Sequence, residues 1–322
     1  MLPAMRNTGP QRRPLPTIDP EPEHLSWLLE GPAREPDGGV RSWANPSRPG
    51  FLYLEAAGLL LSLHAEALGR EADETVRADG DAIARWLLGR LQAGVVIHRQ
   101  TRYAFDTAIV VAALDRWGRV AGASDGLQEA VTRGRSFLAS CLRRGHGQTG
   151  APDDGHWSRA FGPHLLKLAV ALNDDALLDA ARHRLVSTCW DGRRFRIHDR
   201  SDSWYPHAHA YALEGLLAMR ARGVSIDLSV VDAGLATLRD ALRDSDTPTD
   251  VAAQLVRLGL LRGWQPEDEG LTTAWERLRE RRHPGGGLVY RAGSSDVNTW
   301  ATIFTVQALR WSRIGADPAW LA

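Results

Sequence analysis

Six times along this chain a charged helix of surface type gives way to a short loop and then to a helix that is apolar almost all round. The apolar segments read GFLYLEAAGLLLSL (50–63), YAFDTAIVVAAL (103–114), HWSRAFGPHLLKLAVAL (156–172), YPHAHAYALEGLLAM (205–219), DTPTDVAAQLVRLGLL (246–261) and DVNTWATIFTVQAL (296–309). In each, the polar residues cluster in the first two turns. A helix that is apolar on every side must be buried, whereas an amphipathic one lies at a surface. Alternating the two six times predicts an inner and an outer layer of six helices each, twelve in all, wound as hairpins into a closed ring. The polar starts of all six inner helices then face one end of a central cavity. That locates the chemistry before any residue is given a role.

The outer helices are expected at about 20–30, 72–91, 127–142, 176–189, 229–243 and 270–282. In the second of these, Ile83, Trp86, Leu87 and Leu91 form a stripe, while Asp81, Arg85 and Arg90 face away, which is helical spacing. Three loops leading into inner helices carry β-branched or aromatic runs: VVIHR (95–99), RFRIH (194–198) and GLVYR (287–291). Bounded by Gly, Ser or Asp, they predict short β-hairpins on one rim of the cavity. Six units with a period of about 50 residues meet the criterion for a repeat array, and a closed ring needs no polar capping repeats. The expected fold class is therefore all-α, an (α/α)6 toroid occupying residues 20–322 as one domain. Residues 1–19 contain Arg12, Arg13 and several prolines but no apolar signal-peptide segment, and read as a disordered tail.

At 43% hydrophobic, the 322 residues supply ample material for the core of such a ring. The formal net charge is zero, so no global field steers the chain to nucleic acid or to an anionic membrane. The apolar stretches break off before the roughly 20 residues that a membrane span needs. Cys141 and Cys189 make no disulfide framework, and a cytoplasmic location is expected. Lys167 is the only lysine among 39 basic residues, and there is no GxxxxGK[ST] loop. Phosphate cradling of that kind and most lysine imine chemistry are therefore not expected. The expected partner is a polar small molecule, with no cofactor, nucleic acid or membrane; nothing in the sequence sets an oligomeric state.

Three constellations carry the candidate chemistry. In YPHAHAYALEG, His207, Tyr211 and Glu214 stand at i, i+4 and i+7 and share one helix face. A histidine beside a carboxylate is a natural proton carrier, and polar groups on an apolar helix are costly to bury without partners. His209 points towards the ring wall; capping of the entry loop is the plainer role for both histidines. The second constellation is a set of carboxylates at matching inner-helix starts: Glu55, Asp106, Asp250 and Asp296. Capping and the helix macrodipole account well for Asp296 and partly for Asp106 and Asp250, but poorly for Glu55. Paired carboxylates across a cavity are also what glycosidic cleavage requires. The third is the entry to the third inner helix, with Trp157, Arg159, His164 and Lys167. Arg159 is suited to a substrate carboxylate or phosphate. Trp43, Trp157, Trp204 and Trp300 lie at inner-helix entries, where they either stack on a sugar ring or wedge the helix ends. A zinc site built from His207 and His209 with Cys189 or Asp191 has the wrong spacing for a helix, so no metal is expected. The acidic run DSDTPTD (244–250) does not match the DxDD motif of class II terpene cyclases.

The segments YPHAHAYALEGLL, TDVAAQLVRLGLL and DVNTWATIFTVQALRW resemble bacterial α/α-toroid proteins associated with exopolysaccharide biosynthesis. That family is in turn similar to six-hairpin carbohydrate enzymes and to N-acylglucosamine 2-epimerases. The resemblance covers about residues 51–311. It implies a toroid that handles carbohydrate. The epimerases carry Pro-Gly-His-x-x-Glu at a lumenal helix start, echoed here by Pro206, His207 or His209, and Glu214 with a different His-to-Glu spacing.

The expected activity is acid–base chemistry on a sugar or sugar-like metabolite: epimerisation, isomerisation or elimination. The catalytic set is His207, Glu214, Asp106, Tyr211 and Asp250. The binding set is Tyr53, Glu55, Trp157, Arg159, His164, Trp204, His209, Asp296, Asn298 and Trp300. A cyclase using an acidic lumen, and a non-catalytic binding toroid in polysaccharide or natural-product assembly, are the alternatives.

Overall fold

In the computed structural model, which describes residues 21–150, 156–265 and 268–321, the chain folds as an (α/α)6 toroid. The outer helices are α1 (Glu21–Glu30), α3 (Glu74–Leu88), α5 (Asp125–Arg144), α6 (Asp175–Cys189), α8 (Leu228–Ala241) and α10 (Glu269–Glu280). The inner ring comprises α2 (Leu54–Arg70), α4 (Ala104–Ala121), a 3-10 helix (Pro163–Val170), α7 (Pro206–Ala221), α9 (Thr249–Arg262) and α11 (Thr299–Ile314). Each inner helix packs against the next, and α11 packs against α2, so the ring closes. Each later outer helix packs on the inner helix that precedes it, and α1 lies on α11. The expected tail at 1–19 lies outside the described residues.

The twelve expected helices are found, but the third inner one is neither as long as expected nor α-helical. Residues 156–162 form turns, and the helix begins only at Pro163. Gly162 before it is extended, with φ −142° and ψ 173°, because a residue preceding proline is pushed out of the helical region. Gly215 of α7 then lies directly on this segment. A methyl group there would sit 2.2 Å from the carbonyl carbon of Leu166 and 2.6 Å from the nitrogen of Lys167.

Two of the three expected rim hairpins form. β2 (Ile97–His98) pairs with β3 (Thr101–Tyr103), which also pairs with β4 (Gln148–Thr149). β5 (Leu288–Val289) pairs with β6 (Val297–Asn298). β6 also pairs with β1 (Trp43–Ala44), which ties the first and last hairpins of the ring together. RFRIH does not form a hairpin; there a single bridge joins Trp190 to Phe195.

The ring's axis is filled at the end away from the polar helix starts. Glu214 accepts from Lys167 and, at 3.0 Å, from Arg257, and all three side chains are fully buried. The Arg257 guanidinium lies 4.3 Å from the Phe304 ring centre and 5.7 Å from that of Trp311. Deeper still, Glu66 accepts from Trp311 Nε1 at 2.8 Å and from Gln307 Nε2 at 2.9 Å. Arg116 donates to the carbonyls of Leu321 at 2.6 Å and Ala319 at 3.1 Å. The chain's last described residues thus cork the far end. Among the described residues, no helix is long and apolar enough to cross a membrane.

The Gly215 contact makes a stability prediction. Backbone atoms cannot swing aside as a side chain would, so Gly215→Ala is expected to cost about 2 kcal/mol or more. Gly126, in α5 with open space around it, is the control: Gly126→Ala should be neutral or gain up to about 1 kcal/mol from helix propensity. Urea unfolding of the two variants checks the contrast.

Candidate functional site

At the polar end the axis opens into a cavity of about 860 Å³. The chain builds it from inner-helix starts and the loops before them. α2 contributes Glu55, with Tyr53 just ahead of it; α4 contributes Asp106; α7 contributes His207; and α9 contributes Asp250. Trp157 and Arg159 come from the turns before the 3-10 helix, and Asp296, Asn298 and Trp300 from the entry to α11. These ten expected site residues all line the cavity.

The floor is a hydrogen-bonded carboxyl pair. The Tyr53 hydroxyl donates to Asp106 Oδ2 at 3.0 Å, and the Tyr211 hydroxyl donates to Glu55 Oε1 at 3.1 Å. Burial pushes the Glu55 carboxyl up to about 8, with the neighbouring Asp106 charge adding to the effect and contacts with Trp300, Tyr211 and Tyr53 opposing it. Burial also raises Asp106, to about 6, against the hydrogen bond from Tyr53. Both sit in the first turn of a helix, where the macrodipole favours the charged form by up to about 2 kcal/mol. Desolvation outweighs it, since full burial is able to move a carboxyl by several units.

The facing wall holds a histidine–carboxylate pair. His207 Nδ1 lies 2.8 Å from Gln254 Oε1 and 3.3 Å from Asp250 Oδ2. With the Gln254 amide oxygen turned towards it, Nδ1 carries the imidazole proton, and the Asp250 carboxylate beside it favours the same tautomer. In the neutral ring this leaves Nε2 as the basic atom. The Tyr211 ring, 4.4 Å edge-on from His207, forms the floor between the two groups.

Five expected site residues do not line the cavity. Glu214 shares the helix face of His207 but lies seven residues further along, about 10 Å deeper at 1.5 Å per residue. There it is consumed by Lys167 and Arg257. Tyr211 is wholly buried beneath the cavity and reaches the site through its hydroxyl on Glu55 and its ring against His207. His209 points outward: its Nδ1 accepts from the backbone of Phe195 at 3.1 Å, and its Nε2 lies 3.1 Å from the Gly234 carbonyl. Trp204 packs edge-on to His209 under the Arg194 guanidinium. His164 is sealed behind Trp157 and Phe105, with ring centres 5.4 and 5.6 Å away. Neither of its ring nitrogens has a hydrogen-bond partner among the described residues, and burial lowers it to about 3.

The carboxylate assignments also shift. Asp296 does not cap α11; Asn298 does, accepting from Ala301 N at 2.8 Å. Asp296 instead binds Arg48 and Asn45, each at 2.7 Å, on the cavity rim. Arg48, His98, Arg99 and Gln254 were not anticipated. Arg48 and Arg99 come from loops and His98 from the two-residue strand β2, where periodicity carries no signal. Gln254 is one turn beyond Asp250 on the same face, a spacing that pointed to it.

No family model and no curated protein matches the chain, so the resemblance to exopolysaccharide-associated toroids rests on the quoted segments alone. Solved structures do match, over 91% of the chain in each case. Cellobiose 2-epimerase from Spirochaeta thermophila is similar at 13% identity with a TM-score of 0.68, over 96% of its own length. A D-mannose isomerase is similar at 11% identity and 0.66, over 96% of its length. A type II terpene cyclase from Scytonema is similar at 16% identity and 0.59, over 98% of its length. At these identities the likeness establishes the toroid fold.

The carboxyl pair sets a pH signature. A carboxyl whose folded pKa is raised lends full stability below its unfolded value, near 4.5 for Glu55, and loses it as pH rises through about 8. Glu55→Gln should therefore gain melting temperature relative to the unsubstituted protein as pH is raised from about 5 to about 8.5. A constant difference between the two across that range would show that Glu55 titrates normally.

Proposed function

We propose that this toroid is an enzyme that moves protons on a sugar or sugar-like polar molecule. The observation that carries this reading is the pairing of a base with an acid on one cavity floor. His207, its Nδ1 hydrogen-bonded to Gln254 beside the Asp250 carboxylate, presents Nε2 as base. Glu55, kept protonated by burial and by the Asp106 charge beside it, serves as acid. Epimerisation, isomerisation and elimination share a first step that needs both: a base takes a proton from a carbon beside a carbonyl or carboxyl while an acid supports the oxygen that gains charge. The three differ only in where the proton returns or whether a group leaves. Trp157 and Trp300 supply aromatic faces, and Asn298 and Asp296 polar contacts, as a hydroxyl-rich ligand requires. The sugar epimerase and isomerase among the fold's relatives support this choice of substrate.

The cyclase alternative fits less well. Protonating an unactivated alkene needs a strong acid, and burial makes Glu55 and Asp106 weaker ones. A purely binding toroid gives no reason for a histidine whose Nδ1 is tied to Gln254 with a carboxylate beside it.

Incubation with reducing sugars and sugar acids in D2O tests the proposal. A substrate should gain deuterium at carbon, seen by mass spectrometry. His207→Ala and Glu55→Gln should each lower the rate by about 10²–10⁴-fold, with His207→Ala keeping the melting temperature of the unsubstituted protein within a few degrees. Exchange that persists in His207→Ala removes that residue as the base.

A further inference from the structure

The tip of the β2–β3 hairpin is built against its own backbone preference. Its two central residues, Arg99 and Gln100, have φ of +46° and +72°. A two-residue turn with both values positive is ordinarily made from Asn-Gly or Gly-Gly, because side chains at positive φ are strained. Side chains held in this region cluster at ligand-binding sites. Here the strained residue is an arginine on the cavity wall, and its guanidinium makes no hydrogen bond or ion pair with the described residues.

The other charges around the cavity are accounted for. Asp296 is matched by Arg48 at 2.7 Å. Asp250 lies 3.3 Å from His207. Glu55 and Asp106 accept hydrogen bonds from Tyr211 and Tyr53, and burial keeps the Glu55 carboxyl neutral. Of the three arginines on the cavity, Arg48 is paired with Asp296 and Arg159 has an interaction of its own, which leaves Arg99 as the one without a partner among the described residues. The inner helices add to this bias. α2, α4, the 3-10 helix, α7 and α9 begin with no side-chain cap, whereas outer helices α3, α5, α6 and α8 are capped by Asp73, Ser124, Asp174 and Asp227. Five of the six inner helices thus begin at the cavity without a side-chain N-cap; the sixth, α11, is capped by Asn298, and the outer helix α10 has none.

We propose that Arg99 binds an anionic substituent of the substrate at the cavity mouth, so that the molecule handled is an acidic sugar bearing carboxylate, sulfate or phosphate. This deepens the proton-transfer reading above by naming the substrate's charge. The guanidinium matches any of these groups with two parallel N–H donors.

The test is titration of the full chain with glucose, glucuronate, glucose 6-sulfate and glucose 6-phosphate, followed by calorimetry. At least one acidic sugar should bind about ten-fold or more tightly than glucose; which one identifies the anion. The preference should shrink as salt is raised to about 0.5 M. Arg99→Gly, which accepts positive φ freely, should fold normally, keep the affinity for glucose and lose the preference. Arg99→Lys should keep part of it. Equal affinity for neutral and acidic sugars, a preference unchanged in Arg99→Gly, or no binding of any of the four overturns the inference. The two proposals fail separately. A preference for acidic sugars with no deuterium exchange refutes proton transfer and leaves the anion contact standing; exchange on neutral sugars with no preference does the reverse.

Discussion

The buried triad of Glu214, Lys167 and Arg257 is the constraint on which the rest of this molecule depends. Six helices closed into a ring leave an axial channel too wide for aliphatic side chains to fill from every side. Here it is filled by one carboxylate holding two cations, with the Phe304 and Trp311 rings against the guanidinium. Well-packed apolar residues often stabilise a fold as much as a buried ion group does, but removal of one member of such a group leaves an uncompensated charge at about 3–5 kcal/mol. The plug is thus a feature that tolerates no partial change. It also fixes the depth of the cavity, because everything below Tyr211 is solid.

Above that plug, two opposed effects act on the same carboxyls. Helix N-termini converge on the cavity and favour anions. Enclosure by aromatic rings strips water from Glu55 and Asp106 and favours their protonated forms. The second wins for these two, because dipole effects are screened and small compared with full desolvation. The consequence is a division of labour between walls: a proton-holding carboxyl on α2 with the Asp106 charge beside it on α4, and a histidine on α7 tied to Gln254 beside a carboxylate on α9.

The fold was largely legible in the amino-acid order because burial of a wholly apolar helix leaves few alternatives. What was not legible came from local backbone chemistry. Gly162-Pro163 delays the third inner helix, and a short 3-10 segment replaces the α-helix that its apolar run predicts. At the site, residues in the first turn of an inner helix could be placed on the cavity from sequence: Glu55, Asp106, His207 and Asp250. Depth was the missing coordinate. Face-sharing at i+7 is correct for Glu214, yet the same geometry carries it two turns down into the plug. Direction was legible for His209, which is two residues from His207 and so turned about 200° away on the helix towards the ring wall; that same direction keeps it out of the cavity. The rim residues Arg48 and Arg99 carry no periodic signal at all, since loops obey turn chemistry rather than helical spacing.

His164 shows how a sequence pattern and a packed structure lead to different questions about the same residue. In sequence it looks like one more polar group at an inner-helix start. In the fold it is a histidine with no polar partner among the described residues, wedged between two aromatic rings. Burial of an unsatisfied polar group costs about 1–3 kcal/mol, and the lowered pKa keeps the ring neutral at ordinary pH. The wall that separates it from the cavity is made by Phe105 and the Trp157 indole, and the indole also stands 5.9 Å from His207. The same tryptophan therefore faces the proposed base on one side and an unsatisfied imidazole on the other. It shapes the substrate space and seals the ring's least regular hairpin, so packing and site geometry cannot be varied independently there.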